Sequence, residues 1–215
     1  MTERFNFDYR VKMGIKERRE REEQSRLQAI LHAAESVFAR KGYYETRMDD
    51  IALEAELAKG TLYYYFKSKD EIYAHLLERE SENVFEEIKG RIPQKATFLE
   101  ILEKVVDFSV EYFESNKGFL KIFLPCMCGI VPFEDVQALR RSTRNFDRHG
   151  EFIRECLQKS IDREHLPFDL NDLLKFLKTM QLGLFLRLME GNSRDARETS
   201  KFLLRLIATT MEKHR

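Results

Sequence analysis

Apolar side chains recur along this chain at intervals of three, four and seven residues, the spacing that places them on one face of an α-helix. The first such stripe consists of Leu27, Ile30, Leu31, Ala34 and Phe38. Gly42 follows, and glycine readily adopts the left-handed conformation that closes many helices. The pattern therefore predicts a first helix that packs one face against a core and ends near Gly42.

Two short helices are predicted next. Residues 48–55 have one apolar face over two turns, and residues 59–65 can form a further helix with Leu62 and Phe66 pointing inward. Longer helices flank the pair on both sides. Two short helices in tandem, braced by longer ones, predict a helix-turn-helix.

Capping residues mark several helix starts, because a Ser or Thr followed three residues later by an acid can satisfy free amides of the first turn. The predicted boxes are Thr46 with Asp49, Ser68 with Glu71, and Thr97 with Glu100. Asp169 heads a leucine-rich helix that ends at Gly191, and a last helix follows it. The apolar segment 119–131 contains Pro125, so a buried, kinked helix is expected there. The pattern predicts an all-α protein.

The composition agrees with this fold and excludes several classes of protein. The 215 residues include only 9 Gly and 4 Pro, too few for the many turns of an all-β sandwich. The chain shows neither the roughly 20-residue apolar run of a membrane span nor a secretory signal, so a cytoplasmic protein is expected. Three cysteines and five scattered histidines lack metal-ligand spacing, and no phosphate loop or nucleophile motif is present. No metal, no cofactor and no enzymatic activity are expected.

Charge is balanced overall, with 37 Lys and Arg against 37 Asp and Glu. An even balance argues against a nucleic-acid partner only when the charge is spread evenly. It is not, because segment 57–69 has three lysines and no acid, and segment 10–26 has seven basic and four acidic residues. We therefore expect modest nonspecific attraction to DNA, with local basic patches.

The stretch from Leu27 to Leu77 resembles the DNA-binding domain of TetR-family transcriptional regulators. Its most specific part is the run LAKGTLYYYFKSKDEIYAHLL, which begins at Leu57. The residues that carry the resemblance are Ala33-Ala34, Phe38, Gly42, Thr46, Ile51-Ala52, Gly60-Thr61-Leu62-Tyr63, Phe66 and Ser68-Lys69. The resemblance implies a three-helix DNA-binding domain, a connecting fourth helix, and a helical domain for effector binding and dimerisation. The expected function is a repressor that binds a palindromic operator as a dimer and is released by a small, apolar effector.

This organisation divides the chain into three parts. Residues 1–24 form a charged arm or an extension of the first helix, 25–70 the DNA-binding domain, and 71–215 the connecting helix with the C-terminal domain. From residue 16 onward the arm carries opposite charges at i, i+4, which favours a solvated helix. The alternative is an arm that reaches the DNA backbone or minor groove.

The third helix is expected to meet DNA. With Leu62 inward, the side chains of Lys59, Thr61 and Tyr64 lie outward, toward base edges, and Gly60 lets the backbone approach closely. Three successive tyrosines span about 200° of a helix, so at least one must be exposed. The expected DNA contacts, to bases or to phosphates, are Thr46, Arg47, Ala58, Lys59, Gly60, Thr61, Tyr63, Tyr64, Tyr65 and Lys69.

Glu56 departs from the family pattern, which usually has glycine in the turn between the two short helices. That turn often requires a positive φ, which costs a non-glycine residue on the order of 1 kcal/mol. Glu56 also adds negative charge beside the expected DNA-binding face. It supports an alternative function, a helical interaction module that keeps the helix-turn-helix fold without binding DNA.

The C-terminal half is rich in phenylalanine and methionine, which suits an apolar effector cavity or an ordinary core. The candidate effector-pocket residues are Phe108, Tyr112, Phe123, Cys126, Met127, Phe152, Met180 and Gln181. The last two helices resemble the pair that forms the dimer interface in this family. The leucine-rich face assigned to that interface consists of Leu173, Leu177, Leu184, Leu188, Leu203, Leu206 and Met211. The three thiols are expected to be reduced and mostly buried.

Overall fold

The computed structural model describes residues 2–161 and 167–213. In this part of the chain all regular secondary structure is helical, which confirms the predicted all-α class. The helices are α1 (Thr2–Glu45), α2 (Met48–Glu54), α3 (Lys59–Tyr65), α4 (Lys69–Arg91), α5 (Phe98–Ser115), α6 (Lys117–Met127), α7 (Val136–Ile161), α8 (Leu170–Met189) and α9 (Ser193–Glu212). The chain divides into two compact units, residues 1–72 and 73–215. No described helix combines the length and the apolar character that crossing a membrane requires.

The predicted arm, residues 1–24, lies in α1, which begins at Thr2. Helical conformation continues to Gly42, where φ of 77° and ψ of 172° break it. Residues 16–26 are exposed and carry the ion pairs Lys16–Glu20, at 3.8 Å, and Arg18–Glu22, at 2.8 Å. Such exposed pairs add only a few tenths of a kcal/mol each.

The core of the first unit joins α1, α2, α3 and the start of α4. Its fully buried apolar residues are Ile30, Ala34, Val37, Phe38, Ile51, Leu62, Phe66 and Ile72. Polar bonds at the rim fix α2 on α1: Glu54 accepts from the Ser36 hydroxyl and from Arg40, each at 2.9 Å. The two short helices are thus held by apolar contacts below and by ion pairs at the edge.

Of the three predicted capping boxes, the one at Thr97 is complete and the one at Ser68 is half formed, because the Glu71 carboxylate accepts from the Lys67 amide instead. The Thr97 hydroxyl accepts from the Glu100 amide, and the Ser68 hydroxyl accepts from the Glu71 amide at 3.2 Å. The box predicted at the start of α2 is wrong by one residue, because there the Asp50 carboxylate accepts from the Arg47 amide at 3.0 Å.

The second unit packs α5, α8 and α9 around a common core, with α6 and α7 against it. Its centre includes Leu102, Leu157, Leu173, Leu203 and Ile207. The Asp169 side chain caps α8 as predicted, by accepting from the amides of residues 171 and 172. Gly191, with φ of 79°, ends that helix. Pro125 lies inside α6, where it was expected.

Candidate nucleic-acid interface and effector region

Helix α3 is a two-turn helix anchored by its inner face. Leu62 is 0% exposed and Phe66, immediately after the helix, is 1% exposed. The opposite face is open: Tyr64 is 78% exposed and Tyr63 is 43% exposed, while Tyr65 is half-buried. The prediction that at least one tyrosine of the triplet is exposed is therefore confirmed.

Gly60 lies in the first turn of α3 with open space around it. A Cβ atom built there would have no neighbour within 4 Å, and its φ is not positive. The protein's own packing therefore does not require glycine at this position. The missing side chain matters only to a partner that approaches the start of α3, where free backbone amides attract anions.

Lys59 begins α3 and already has an anionic partner. Its ammonium lies 2.7 Å from one oxygen of Asp49 and 3.0 Å from the other. The hydrogen bond to Asp49 raises the pKa of Lys59 above its ordinary value, and both side chains are well exposed. A phosphate or base that approaches Lys59 competes with Asp49 for the ammonium. Asp49 was predicted to cap α2, so its ion pair with Lys59 was not predicted.

Two of the expected phosphate contacts hold the protein together instead. Thr46 is 1% exposed, and its hydroxyl donates to the Gly42 carbonyl at 2.6 Å. The Lys69 ammonium donates to the carbonyls of Tyr43, Tyr44 and Thr46 at 2.9, 3.3 and 3.2 Å. It also lies 4.4 Å from the centroid of the Tyr43 ring. Because these donors are already engaged, both residues position the entry into α2 rather than face a partner.

The remaining expected contacts lie on the surface around α2 and α3. Arg47 precedes α2 and Ala58 precedes α3, and both are exposed, whereas Thr61 is half-buried. Tyr44 was not predicted as a contact, yet it is 63% exposed, with its ring set edge-on to Tyr43. Tyr44 follows the predicted break at Gly42, and helical spacing does not say which side chains beyond such a break are exposed.

A cluster of phenylalanine rings lies among α5, α6 and α8 in the second unit. Phe113 is its centre, with ring centroids 4.3 Å from Phe185, 5.2 Å from Phe123 and 6.1 Å from Phe119. All four rings are buried. Only Phe123 was among the predicted pocket residues. The other rings come from three separate helices, and no sequence spacing links them.

The other candidate pocket residues divide among different surroundings. Phe108 packs on Tyr112, whose hydroxyl donates to Glu80 at 3.0 Å. The Gln181 amide donates to the Ser109 hydroxyl at 3.1 Å. Phe152 packs instead against Phe85 of α4, and Met180 borders the core of the second unit. Cys126 is half-buried and Met127 is 39% exposed.

The prediction that the three thiols are mostly buried is wrong for Cys128. It is exposed just beyond the end of α6, whereas Cys126 and Cys156 are half-buried. Burial raises the pKa of the Cys156 thiol. This favours the protonated form, which is the less reactive one.

Helices α8 and α9 present apolar side chains to solvent, but most of these differ from the predicted interface residues. Most of the predicted set, including Leu173, Leu184, Leu188, Leu203 and Met211, is buried within the protomer. The exposed apolar residues are Phe176, Leu186, Met189, Phe202 and Leu206. Helical periodicity identified an inner stripe correctly, whereas the resemblance assigned that stripe to a dimer interface, and its buried members pack within the protomer. We call the exposed set the α8/α9 apolar face.

Residues 30–76 match the family model described as bacterial regulatory proteins, tetR family. The fatty acid metabolism regulator protein of Bacillus subtilis strain 168 is 36% identical over 77 residues, which cover 36% of this chain and 40% of that protein. The chain spans about a third to a half of the length of the first curated relatives that it matches.

Two solved structures show the fold over most of the chain. The regulator FadR from Bacillus subtilis, in complex with stearoyl-CoA, has a TM-score of 0.66 at 20% identity and covers 84% of this chain and 96% of its own. A putative transcriptional regulator from Saccharomonospora viridis, in complex with choline, has a TM-score of 0.71 at 20% identity, with 85% and 96% covered. At this identity the likeness establishes the arrangement of helices.

Proposed function

We propose that this chain, which belongs to the TetR family of bacterial transcriptional regulators, binds a palindromic operator as a homodimer, represses transcription from it, and is released by a small apolar effector. The family regulates transcription and is not enzymatic, in agreement with the sequence-based expectation. The observation that carries the proposal is the geometry of α3. Its inner face is buried, and its outer face presents Tyr64, an ion-paired lysine and an open backbone at Gly60.

In this proposal, α3 enters the major groove. Lys59, Thr61 and Tyr64 meet base edges, and the groove admits a helix of this kind. Arg47, Tyr63 and Tyr65 donate to phosphates, which sets the position of the helix but not its sequence preference. The backbone from Ala58 to Gly60 accepts close approach of a phosphate. Thr46 and Lys69 contribute indirectly, by fixing the entry into α2.

Dimerisation through the α8/α9 apolar face is part of the proposal. A helix of two turns reads only a few base pairs, so a two-fold dimer on a palindrome supplies the missing specificity. Phe202 is 61% exposed and Leu206 is 53% exposed on α9, and contiguous apolar residues of this size mark association surfaces.

The apolar part of the proposed effector is a long fatty acyl chain, which is carried by coenzyme A. The phenylalanine cluster around Phe113 and Phe123 offers rings against which an alkyl chain can pack, and Gln181 with Ser109 offers polar groups beside it. The Bacillus subtilis fatty acid metabolism regulator is a relative, and the FadR structure with the same fold holds stearoyl-CoA. Binding then shifts the population of conformers away from the one that fits the operator.

Fluorescence anisotropy with the purified chain tests the proposal. The probes are duplexes from upstream of its own gene and a scrambled duplex of the same composition, each over a salt series. We expect the promoter duplex to bind at least a thousandfold more tightly than the scrambled one. Stearoyl-CoA, shorter acyl-CoAs and choline are then titrated onto the complex. Equal affinity for both duplexes at every salt concentration would refute DNA recognition.

Variants of α3 separate the regulator from the alternative interaction module. Asp49 and Glu56 place acids beside α3, and this observation favours the alternative. Lys59→Ala and Tyr64→Ala should each weaken promoter binding by about 1–3 kcal/mol if they contact bases. Leu53→Ala is the control, because Leu53 is an exposed side chain of the same unit, 81% exposed, that is not among the proposed DNA contacts. If neither α3 variant weakens binding to the promoter duplex, the interaction module is the better explanation.

A further inference from the structure

We propose that Glu80 is a specificity-determining residue of the effector region, which favours an acyl chain with a neutral carbonyl head group over one with a free carboxylate. The inference rests on the proposed function and narrows its effector class. It follows from polar side chains of α4, α5 and α8, all within the second unit. We call Glu80, Tyr112, Ser109 and Gln181 the polar line. The thioester of an acyl-CoA ends in such a neutral carbonyl, whereas a carboxylic acid is ionised at pH 7.

Glu80 is an acid held in the interior by two partners. Its side chain on α4 is 14% exposed, and one carboxylate oxygen accepts from the Arg79 guanidinium, with Nε at 2.8 Å and Nη2 at 2.7 Å. The other oxygen accepts from the Tyr112 hydroxyl at 3.0 Å. An acid at this depth needs such partners, because it has given up much of its hydration. The charge of Arg79 is therefore balanced by an acid of the protein itself.

The polar line borders the rings that are proposed to hold the alkyl chain. The Tyr112 side chain is buried, and its ring centroid lies 5.4 Å from that of Phe113, the centre of the phenylalanine cluster. Ser109 lies one turn earlier on α5, where its hydroxyl accepts from the Gln181 amide at 3.1 Å. In the proposed complex, an alkyl chain that packs on these rings brings its head group to the polar line.

A neutral carbonyl suits the polar line better than a carboxylate does. The Gln181 amide carries two donor hydrogens, so it can donate to an acyl carbonyl as well as to Ser109. A carboxylate would place a second negative charge beside Glu80, with Arg79 shared between the two. Like charges that share a partly buried site disfavour the ionised form of both. Glu80 therefore opposes binding of a free fatty acid and leaves a thioester unaffected.

Isothermal titration calorimetry with two ligands of equal chain length tests the assignment. Myristamide and myristate have the same alkyl chain, and only the second has a charged head group. The wild-type chain should bind myristamide about tenfold more tightly, which is the low end of the effect of a hydrogen bond to a charged group. Glu80→Gln keeps an oxygen for the Tyr112 hydroxyl and removes the charge. It should raise myristate affinity about tenfold and leave myristamide affinity unchanged.

Glu82→Gln is the matched control for the loss of an acid from α4. The Glu82 carboxylate also binds an arginine, Arg148, at 3.0 Å, but it is 45% exposed. This variant should change neither affinity. A further substitution restores the charge balance of the polar line: Arg79→Gln in the Glu80→Gln background should remove the gain in myristate affinity. A merely structural role of Glu80 predicts instead that both ligands lose affinity together.

The outcomes separate this inference from the proposed function. If the wild-type chain binds stearoyl-CoA and myristamide, but Glu80→Gln gains no affinity for myristate, the effector class stands and the role of Glu80 is refuted. Equal binding of both ligands by the wild-type chain, an equal gain in Glu82→Gln, or loss of both ligands in Glu80→Gln also refutes it. If the wild-type chain binds neither stearoyl-CoA nor myristamide, the proposed effector class is wrong and this inference fails with it.

Discussion

Glu56 occupies a backbone position that suits glycine. Its φ is 55°, in the left-handed region, and it is the only non-glycine residue with positive φ in the described part of the chain. The Glu56 amide donates to the Leu53 carbonyl at 3.1 Å, and the Leu57 amide donates to the Ala52 carbonyl at 2.9 Å. These two bonds form the Schellman motif that ends α2, and the motif requires a left-handed residue where Glu56 lies.

Replacing Glu56 with glycine should stabilise the protein. An L-residue in the left-handed region costs about 1–2 kcal/mol, which glycine avoids. Glycine also gives the unfolded chain more freedom, which offsets about 0.4–1 kcal/mol of that gain. The difference leaves a net stabilisation of about 1 kcal/mol, equivalent to a Tm increase of about 2–4 °C for a chain of this size.

Glu56→Gln provides the matched control, because it removes the charge and keeps the strain. A negative charge near the C-terminus of α2 is disfavoured by the helix dipole, so this variant should gain only a few tenths of a kcal/mol. Urea unfolding followed by far-UV circular dichroism gives the free energies, and hydrogen exchange at α2 and α3 shows where the gain lies. Both variants should tighten operator binding to a similar extent, since both remove a carboxylate. If Glu56→Gly proves no more stable than Glu56→Gln, the strain argument is wrong.

Three further outcomes follow from the structure. Asp49→Asn releases Lys59 and removes a carboxylate that repels DNA, so operator affinity should rise several-fold at low salt. The gain should shrink as added salt screens the charges, and fluorescence anisotropy over a salt series measures the affinity. Phe202→Ser should convert the proposed dimer to a folded monomer in analytical ultracentrifugation, and a dimer that persists in this variant would contradict the proposed interface. Burial lowers the pKa of His149, whose Nε2 lacks a partner among the described residues. The unfolded chain therefore binds more protons below about pH 6.5, and His149→Phe should lessen the loss of stability from pH 7 to 5, measured by urea unfolding.

Local patterns predicted what depends on local geometry. The spacing of Leu62 and Phe66 placed the inner face of α3 correctly, because a two-turn helix has few ways to bury two large apolar side chains. The caps at Thr97 and Asp169 could also be predicted, because a capping side chain and the amides that it binds lie within three residues. Glu56 belongs here too, because the turn that it occupies was expected to need a positive φ.

Contacts between distant segments were not predictable in this way. The position of Lys69 in the motif predicts a phosphate contact. Its ammonium instead binds backbone carbonyls 23 to 26 residues earlier, just after the break at Gly42. The leucine stripes of α8 and α9 predicted that one face of each helix is buried. Periodicity does not show whether that face packs against the same protomer or against a partner. The phenylalanine cluster around Phe113 likewise depends on how three helices meet.

The acids beside α3 change how a neutral chain can recognise DNA. In the free protein Lys59 is neutralised by Asp49, and Glu56 adds a further negative charge nearby. A random duplex offers only phosphates, so it gains little from displacing Asp49, since one charged partner replaces another. In the proposed complex, an operator adds hydrogen bonds from Thr61 and Tyr64 to its bases, and these offset the cost of the exchange. Acids next to a recognition helix therefore lower affinity for all DNA by a similar factor, while the base contacts proposed for Thr61 and Tyr64 set the ratio between operator and random sequence. This ratio, and not affinity alone, decides which sites a regulator occupies in a genome.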